Sequence, residues 1–230
     1  MHPLDNIIWT ALTTRHSQFA IGFGSARRFI AEVSPLSGFE RPNHDGYHSL
    51  ASLAGNDTVA VFLDTPYENR SGWESPGGAP LLQMVCENGS ESHQTANSLP
   101  NLIELGPHDS PEMLELTKLT KPGPFGPRTH ELGTYLGIRS DGKLVAMAGE
   151  RLKVPGYTEV SAVCTHPDHS GNGYAGVLMN EVMRRIRQRG EIPFLHVRKD
   201  NVRAIALYEH LGFRTRTIQH YAILRKRMPL

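Results

Sequence analysis

The sequence predicts an α/β (α+β) fold: a mixed sheet with helices on its faces, preceded by a smaller N-terminal α+β unit. Three observations predict it. After residue 100, short apolar runs alternate with helical patterns. Asp141-Gly142 sits between two such runs, a strong hairpin signal. Before residue 100, stretches rich in Pro, Gly, Ser and Asn at 34–48, 64–80 and 87–100 cut the chain into short pieces.

The first half yields one helix, Leu4 to Thr14, and three short strands, Phe19 to Phe23, Thr58 to Leu63 and Leu81 to Val85. Residues 49–54 are too short to assign. His44 and His48 fall in the first loop, which predicts solvated side chains. The segment from Asn88 to Pro100 has almost no bulky apolar residue, so the domain boundary is placed there, dividing 1–99 from 100–230.

The second half is more regular. Leu102 to Leu105 reads as a strand. Asp109-Ser110-Pro111-Glu112 opens a helix with a capping residue, a first-turn proline and an acid, and Met113, Leu116 and Leu119 continue it. Lys121 to Pro127 stops it. Gly133 to Ile138 and Leu144 to Glu150 are the hairpin strands, and Glu159 to Cys164 is another strand. Gly173 to Arg189 is a long amphipathic helix with Val177, Leu178, Val182 and Ile186 on one stripe, closed by Gly190. Pro193 to Val197 is a strand and Val202 to Leu211 a helix ended by Gly212. Arg214 to Ile218 and Tyr221 to Arg225 read as two last strands.

Composition narrows the function classes. With 39% hydrophobic and 20% charged residues among 230, the chain reads as globular rather than disordered. A net charge of +1 gives no global pull toward nucleic acid or an anionic membrane. Two cysteines, Cys86 and Cys164, make no disulfide framework, and no apolar run reaches the roughly 18 residues of a membrane span. The N-terminus shows no basic-then-apolar leader pattern, and a cytoplasmic location is the expectation.

Residues 171–176 read Gly-Asn-Gly-Tyr-Ala-Gly, a literal Gly-x-Gly-x-x-Gly. A dinucleotide fingerprint needs its first glycine directly after a strand and an acid about 20 residues on, ending the next strand. Here His166 to Ser170 intervenes with Pro167, and Arg198 and Lys199 follow the next strand. The other reading is a nest of backbone N–H groups at a positive helix end, which is an anion site.

The stretch Val163-Cys164-Thr165-His166-Pro167-Asp168-His169-Ser170-Gly171-Asn172-Gly173-Tyr174-Ala175 resembles motif A of the GNAT superfamily, which ends in Arg/Gln-x-x-Gly-x-Gly/Ala. Ser170, Gly173 and Ala175 occupy the fixed places, and Ser170 departs from the usual long polar residue. Asn201-Val202-Arg203-Ala204-Ile205-Ala206-Leu207-Tyr208-Glu209-His210-Leu211-Gly212-Phe213 resembles the family's Asn-x-x-Ala-x-x-Leu-Tyr-x-x-x-Gly-Phe segment at every fixed place. The resemblance spans roughly residues 102–227. It implies a GNAT fold with a mixed, mostly antiparallel sheet, and an acetyl-CoA-dependent N-acetyltransferase that works by direct attack in a ternary complex.

It also implies roles. Val163, Cys164 and Thr165 would hold the pantetheine arm, and Ser170, Gly171, Asn172, Gly173, Tyr174 and Ala175 the diphosphate, with Asn201 facing the cofactor. Tyr208 matches the tyrosine that faces the thiolate and is the candidate acid, against a packing role. For the base, Glu159 opens the cofactor strand and His196 sits on the next one; a water relay with no single residue is the third option. Acetyl-CoA is expected as co-substrate and no metal: His166 and His169 lack a third ligand. The acceptor is a small-molecule or peptide amine, with no nucleic acid or membrane partner, and a homodimer is allowed. The rival function is a non-catalytic CoA-binding sensor or interaction module. Residues 1–99 are either a degenerate GNAT-like unit or an extension that walls the acceptor site. Arg184, Arg185, Arg187 and Arg189 read as a solvated helix end.

Overall fold

The chain opens with helix α1 (Ile7–Thr13), whose stripe Ile7, Ile8, Ala11 and Leu12 is buried. The computed structural model describes residues 2–87 and 101–227; the segment 88–100, where the domain boundary is placed, lies outside them. Three short strands follow, β1 (Ala20–Phe23), β2 (Ala26–Phe29) and β3 (Ser37–Phe39), paired antiparallel in that order as a small sheet.

Residues His44–Ala54 form a helix, α2, where the sequence predicts a loop through residue 48 and leaves 49–54 unassigned. Asn43 caps it by accepting from the Gly46 N–H at 3.0 Å. Gly46 is there for close approach: a Cβ would stand 2.2 Å from the Arg41 carbonyl oxygen. His44 and His48 therefore lie one turn apart, with rings stacked at 6.3 Å, and both remain exposed as expected.

Strand β4 (Val59–Leu63) matches expectation, but β5 (Trp73–Val85) is 13 residues long and runs through Pro76, Gly77, Gly78 and Pro80, which the sequence assigns to a loop. The prolines are tolerated for positional reasons. Pro76 lies at a register shift against the neighbouring strand, and Pro80 lies just beyond the last residue of β5 that is paired on both sides.

The second half follows the predicted order up to its end: β6 (Leu102–Leu105), α3 (Ser110–Thr120), β7 (Tyr135–Ser140), β8 (Lys143–Val154), β9 (Tyr157–Thr165), α4 (Tyr174–Gln188), β10 (Ile192–Arg198), α5 (Val202–His210) and β11 (Arg214–Lys226). Strand β11 is continuous where two strands are predicted. Gln219 and His220, left between the two predicted strands, pair in register with Leu81 and Pro80 of β5, and the strand's bulge lies earlier, between Thr215 and Thr217. The Asp141-Gly142 hairpin turn has positive φ at both residues (48° and 78°).

Eight strands form one sheet in the order β4-β11-β5-β10-β9-β8-β7-β6. Pairing is antiparallel except between β9 and β10. Strands from both sides of residues 88–100 thus share one sheet. Strand β5 inserts between β10 and β11, which are joined in sequence by α5. Helices cover both faces: α4 and α5 pack over Leu136, Ala146, Ala148, Val160 and Leu195, while α3 covers Leu105, Tyr135 and Met147, and α1 covers Leu152 and Phe194.

Two register shifts interrupt the β8–β9 ladder. Between Glu150 and Lys153, β8 bulges at Arg151 and Leu152. His16, 2% exposed, packs beneath this bulge, with Nε2 2.8 Å from the Arg151 carbonyl oxygen and 3.1 Å from the Lys153 nitrogen. Between Met147 and Gly149, β9 bulges at Ala162, whose φ of 52° is left-handed.

Burial pushes the His16 pKa from 6.5 down to about 4. The unfolded chain therefore binds a proton that the folded chain refuses as pH falls from 6.5 to 4. Stability is full above this window and falls through it, by on the order of 3 kcal/mol. Urea unfolding should show stability dropping between pH 6.5 and 5, above the range where carboxylates titrate. In His16→Gln the slope over that range should flatten; an unchanged slope would assign the pH dependence elsewhere.

Candidate active site

The site begins where two parallel strands part. Strand β10 pairs with β9 only at Ile192, Pro193 and Phe194, the last opposite Glu159. From Phe194 to Arg198 its ladder is with β5. Strand β9 continues to Thr165 against β8. A slot therefore opens between β9 and β10 beyond Glu159. His196 shows the consequence: its side chain is 2% exposed, yet the residue as a whole is half-buried, so its main chain faces the slot.

Glu159 closes the vertex of the fork and is fully buried. Its carboxylate accepts two bonds from Arg151, Nε to Oε2 and Nη2 to Oε1, both at 2.8 Å. Oε2 also accepts from the Leu152 N–H at 3.2 Å, an amide freed by the β8 bulge, and Oε1 lies 2.7 Å from His196 Nδ1. His196 Nε2 lies 2.9 Å from Gln219 Oε1 and 3.2 Å from Gln83 Nε2. Burial favours the neutral acid at Glu159, but the Arg151 charge and the bonds from Arg151 and His196 outweigh it and hold the carboxyl well below its usual range.

Glu159 and His196, the two candidate bases, are thus both engaged by buried partners. Both Glu159 oxygens are occupied and the group is held ionised. Both His196 nitrogens face buried partners. Together they are a clip tying the β8 bulge to β9 and β10.

Beyond the slot lies the turn into α4. Gly171 and Gly173 have φ of 87° and 74°, which a side chain would strain. The helix begins without a side-chain cap, without an acid in its first turn, and with Gly171 to Gly173 exposed. Its first N–H groups thus point outward unpaired, as an anion requires. A groove of about 680 Å³ runs along this turn between α4 and α5. Every residue predicted to bind the cofactor lines it: Val163, Cys164, Thr165, Ser170 to Ala175 and Asn201. Asn201 has a structural duty too, capping α5 by accepting from the Ala204 N–H at 3.2 Å.

A second cavity of about 570 Å³ adjoins the groove. Val163, Cys164, Thr165, Asn201, Ala204 and Tyr208 line both. Tyr208 therefore stands at the junction, and burial pushes its pKa up to about 12, so the phenol holds its proton at neutral pH. Burial likewise pushes Cys164 up to about 11, which leaves it a thiol. Arg203 also lines the groove, from a variable place of the Asn201–Phe213 segment to which the sequence assigns no role. The α4 arginines do not line it: Arg184 and Arg185 pair with Glu181, and Arg189 with Glu150.

The geometry meets a full-length relative. A GNAT-family protein from Novosphingobium aromaticivorans has a solved structure that matches with a TM-score of 0.88 and 35% identity, over 99% of this chain and 100% of that one. The chain belongs to the GNAT family. Residues 135–222 match the FR47-like protein family. The N-alpha-acetyltransferase RimI of Mycobacterium tuberculosis is 39% identical over 82 residues, 34% of this chain and 51% of that protein, so the chain spans about half the length of the curated relative it matches. A GCN5-related N-acetyltransferase from Kribbella flavida shares the fold, with a TM-score of 0.61 and 14% identity over 98% of this chain and 97% of that one. As a GNAT chain it places motif A at the fork and the Asn201–Phe213 segment on the groove's other wall. Among the described residues no helix is long and apolar enough to cross a membrane, and no group of three or more His, Cys, Asp or Glu gathers as for a metal.

The clip makes a stability prediction. Glu159→Gln leaves the Arg151 guanidinium buried without a counter-charge, which typically costs about 3–5 kcal/mol. Denaturant unfolding measures this. A loss below about 1 kcal/mol would show that Glu159 is not structurally committed.

Proposed function

We propose that the chain is an N-acetyltransferase that moves the acetyl group of acetyl-CoA to a primary amine by direct attack. The observation that carries this reading is the fork: strands β9 and β10 part just where an uncapped helix start offers its N–H groups. The amides of Gly171 to Ala175 bind the diphosphate, with Arg203 supplying charge that Ser170 lacks. Main-chain groups of Val163, Cys164 and Thr165 bond the pantetheine and bring the thioester to Tyr208. The amine enters the adjoining cavity; its nitrogen bonds to the carbonyl carbon and the C–S bond breaks. Tyr208 gives its proton to the departing thiolate. The amine's proton leaves through water, because Glu159 and His196 have no unpaired atom to accept it. Those two act by holding the slot open.

The acceptor is an α-amine, the group that the name of the RimI relative specifies for that protein. Residues 1–99 serve this reaction as a wall: Leu36, Phe62, Ala79 and Leu81 line the acceptor cavity. This reading is favoured over a degenerate second unit because β4 and β5 join the sheet of the second half.

Isothermal titration should show acetyl-CoA binding at micromolar concentration, and Gly173→Asp should abolish it, since a carboxylate would enter the anion nest. Tyr208→Phe should slow thiol release by about 10²-fold, the lower end of general acid catalysis, with binding unchanged. An unchanged rate would remove Tyr208 as acid. Binding without thiol release from any amine would favour the non-catalytic CoA module.

A further inference from the structure

The acceptor cavity is lined by cations and aromatic rings, and no carboxylate is among its described lining residues. Its deepest cation is Arg151, 8% exposed. The guanidinium turns Nε and Nη2 to Glu159, and Nη1 has no acceptor among the described residues. Lys121 lines the same cavity from the left-handed end of α3 (φ 50°) and makes no ion pair among the described residues. Arg198, also lining, is already matched by Asp200 at 2.6 Å. Phe62 and Tyr221 add an apolar wall, their rings edge to face at 6.0 Å.

Such a lining discriminates by charge. A polyamine would set several ammonium groups beside the unmatched Lys121 with no lining carboxylate to receive them, since Glu159 is already taken up by Arg151. A carboxylate would receive a charge-assisted bond from Nη1, the guanidinium nitrogen that Glu159 leaves free on a residue lining the cavity. The volume suits a small molecule.

We propose that the acceptor is a free amino acid with an apolar side chain. Its carboxylate is taken by Arg151 Nη1 and Lys121, its side chain lies against Phe62 and Tyr221, and its α-amine is directed to the junction at Tyr208. This rests on the acetyl-transfer reading above.

The test compares, by thiol release from acetyl-CoA, leucine and phenylalanine with their amides, with spermidine and with a short peptide bearing a free N-terminus. Leucine or phenylalanine should exceed its amide by about tenfold or more in kcat/KM, the worth of one charge-assisted bond. The bias runs against intrinsic reactivity, because the amide's amine is the less basic and more readily deprotonated. Lys121→Glu, at an exposed position, should raise KM for the amino acid by about tenfold and leave KM for the amide little changed. Equal kcat/KM for acid and amide, a preference for spermidine or the peptide, or acetyl-CoA binding without turnover of any of these would overturn the assignment. Absence of acetyl-CoA binding would overturn the transfer reading itself.

Discussion

The buried carboxylate of Glu159 is the point on which the site depends. Glu159 is the β9 member of the last β9–β10 residue pair, and three elements converge on its carboxylate: the bulged strand β8 through Arg151 and Leu152, its own strand β9, and β10 through His196. A buried charge is tolerated only when paired and fully bonded, and here each oxygen has two partners. The bonds also dictate shape. The bulge frees the Leu152 amide to reach the carboxylate, and His196 must lie on the strand that leaves. The fork is thereby pinned at one residue rather than left to zip further.

A parting pair of strands exposes unpaired main-chain groups, which cost free energy when dry. On β10 only one edge is exposed, because β5 takes the other from Phe194 onward. That strand comes from the first half of the chain. The two halves are thus coupled at the slot: β5 supports β10, Gln83 on β5 faces His196, and Arg216 on β11 bonds Gln83 Oε1 at 2.8 Å. The wall of the acceptor cavity and the backing of the cofactor slot are the same segment of chain.

Much of the second half was legible because its signals are local. Asp141-Gly142 names its own turn, Gly171 and Gly173 announce an unusual backbone, and the Asn201–Phe213 segment carries cap, face and stop within 13 residues. All ten expected cofactor residues line one groove for the same reason. What was not legible is set by distant partners. Pro76 and Pro80 read as loop, yet strand β5 admits them at a bulge and at a half-free edge. The stretch 34–48 read as loop, yet its last residues enter α2, which needs Gly46 against Arg41. Glu159 and His196 read as bases, since their residue types suit that work; only the fold reveals that Arg151, Gln83 and Gln219 consume their bonding capacity. Arg203 sits at an ordinary helix position and gains meaning only from the groove beside it.

The decisive question is what occupies the gap between β9 and β10. A crystal structure with CoA bound tests this most directly. The diphosphate should lie on the amides of Gly171 to Ala175, and the pantetheine should run between Val163–Thr165 and β10, its sulfur near Tyr208. CoA bound elsewhere, or a β9–β10 ladder that closes past Glu159 to exclude it, would contradict the role given to the fork.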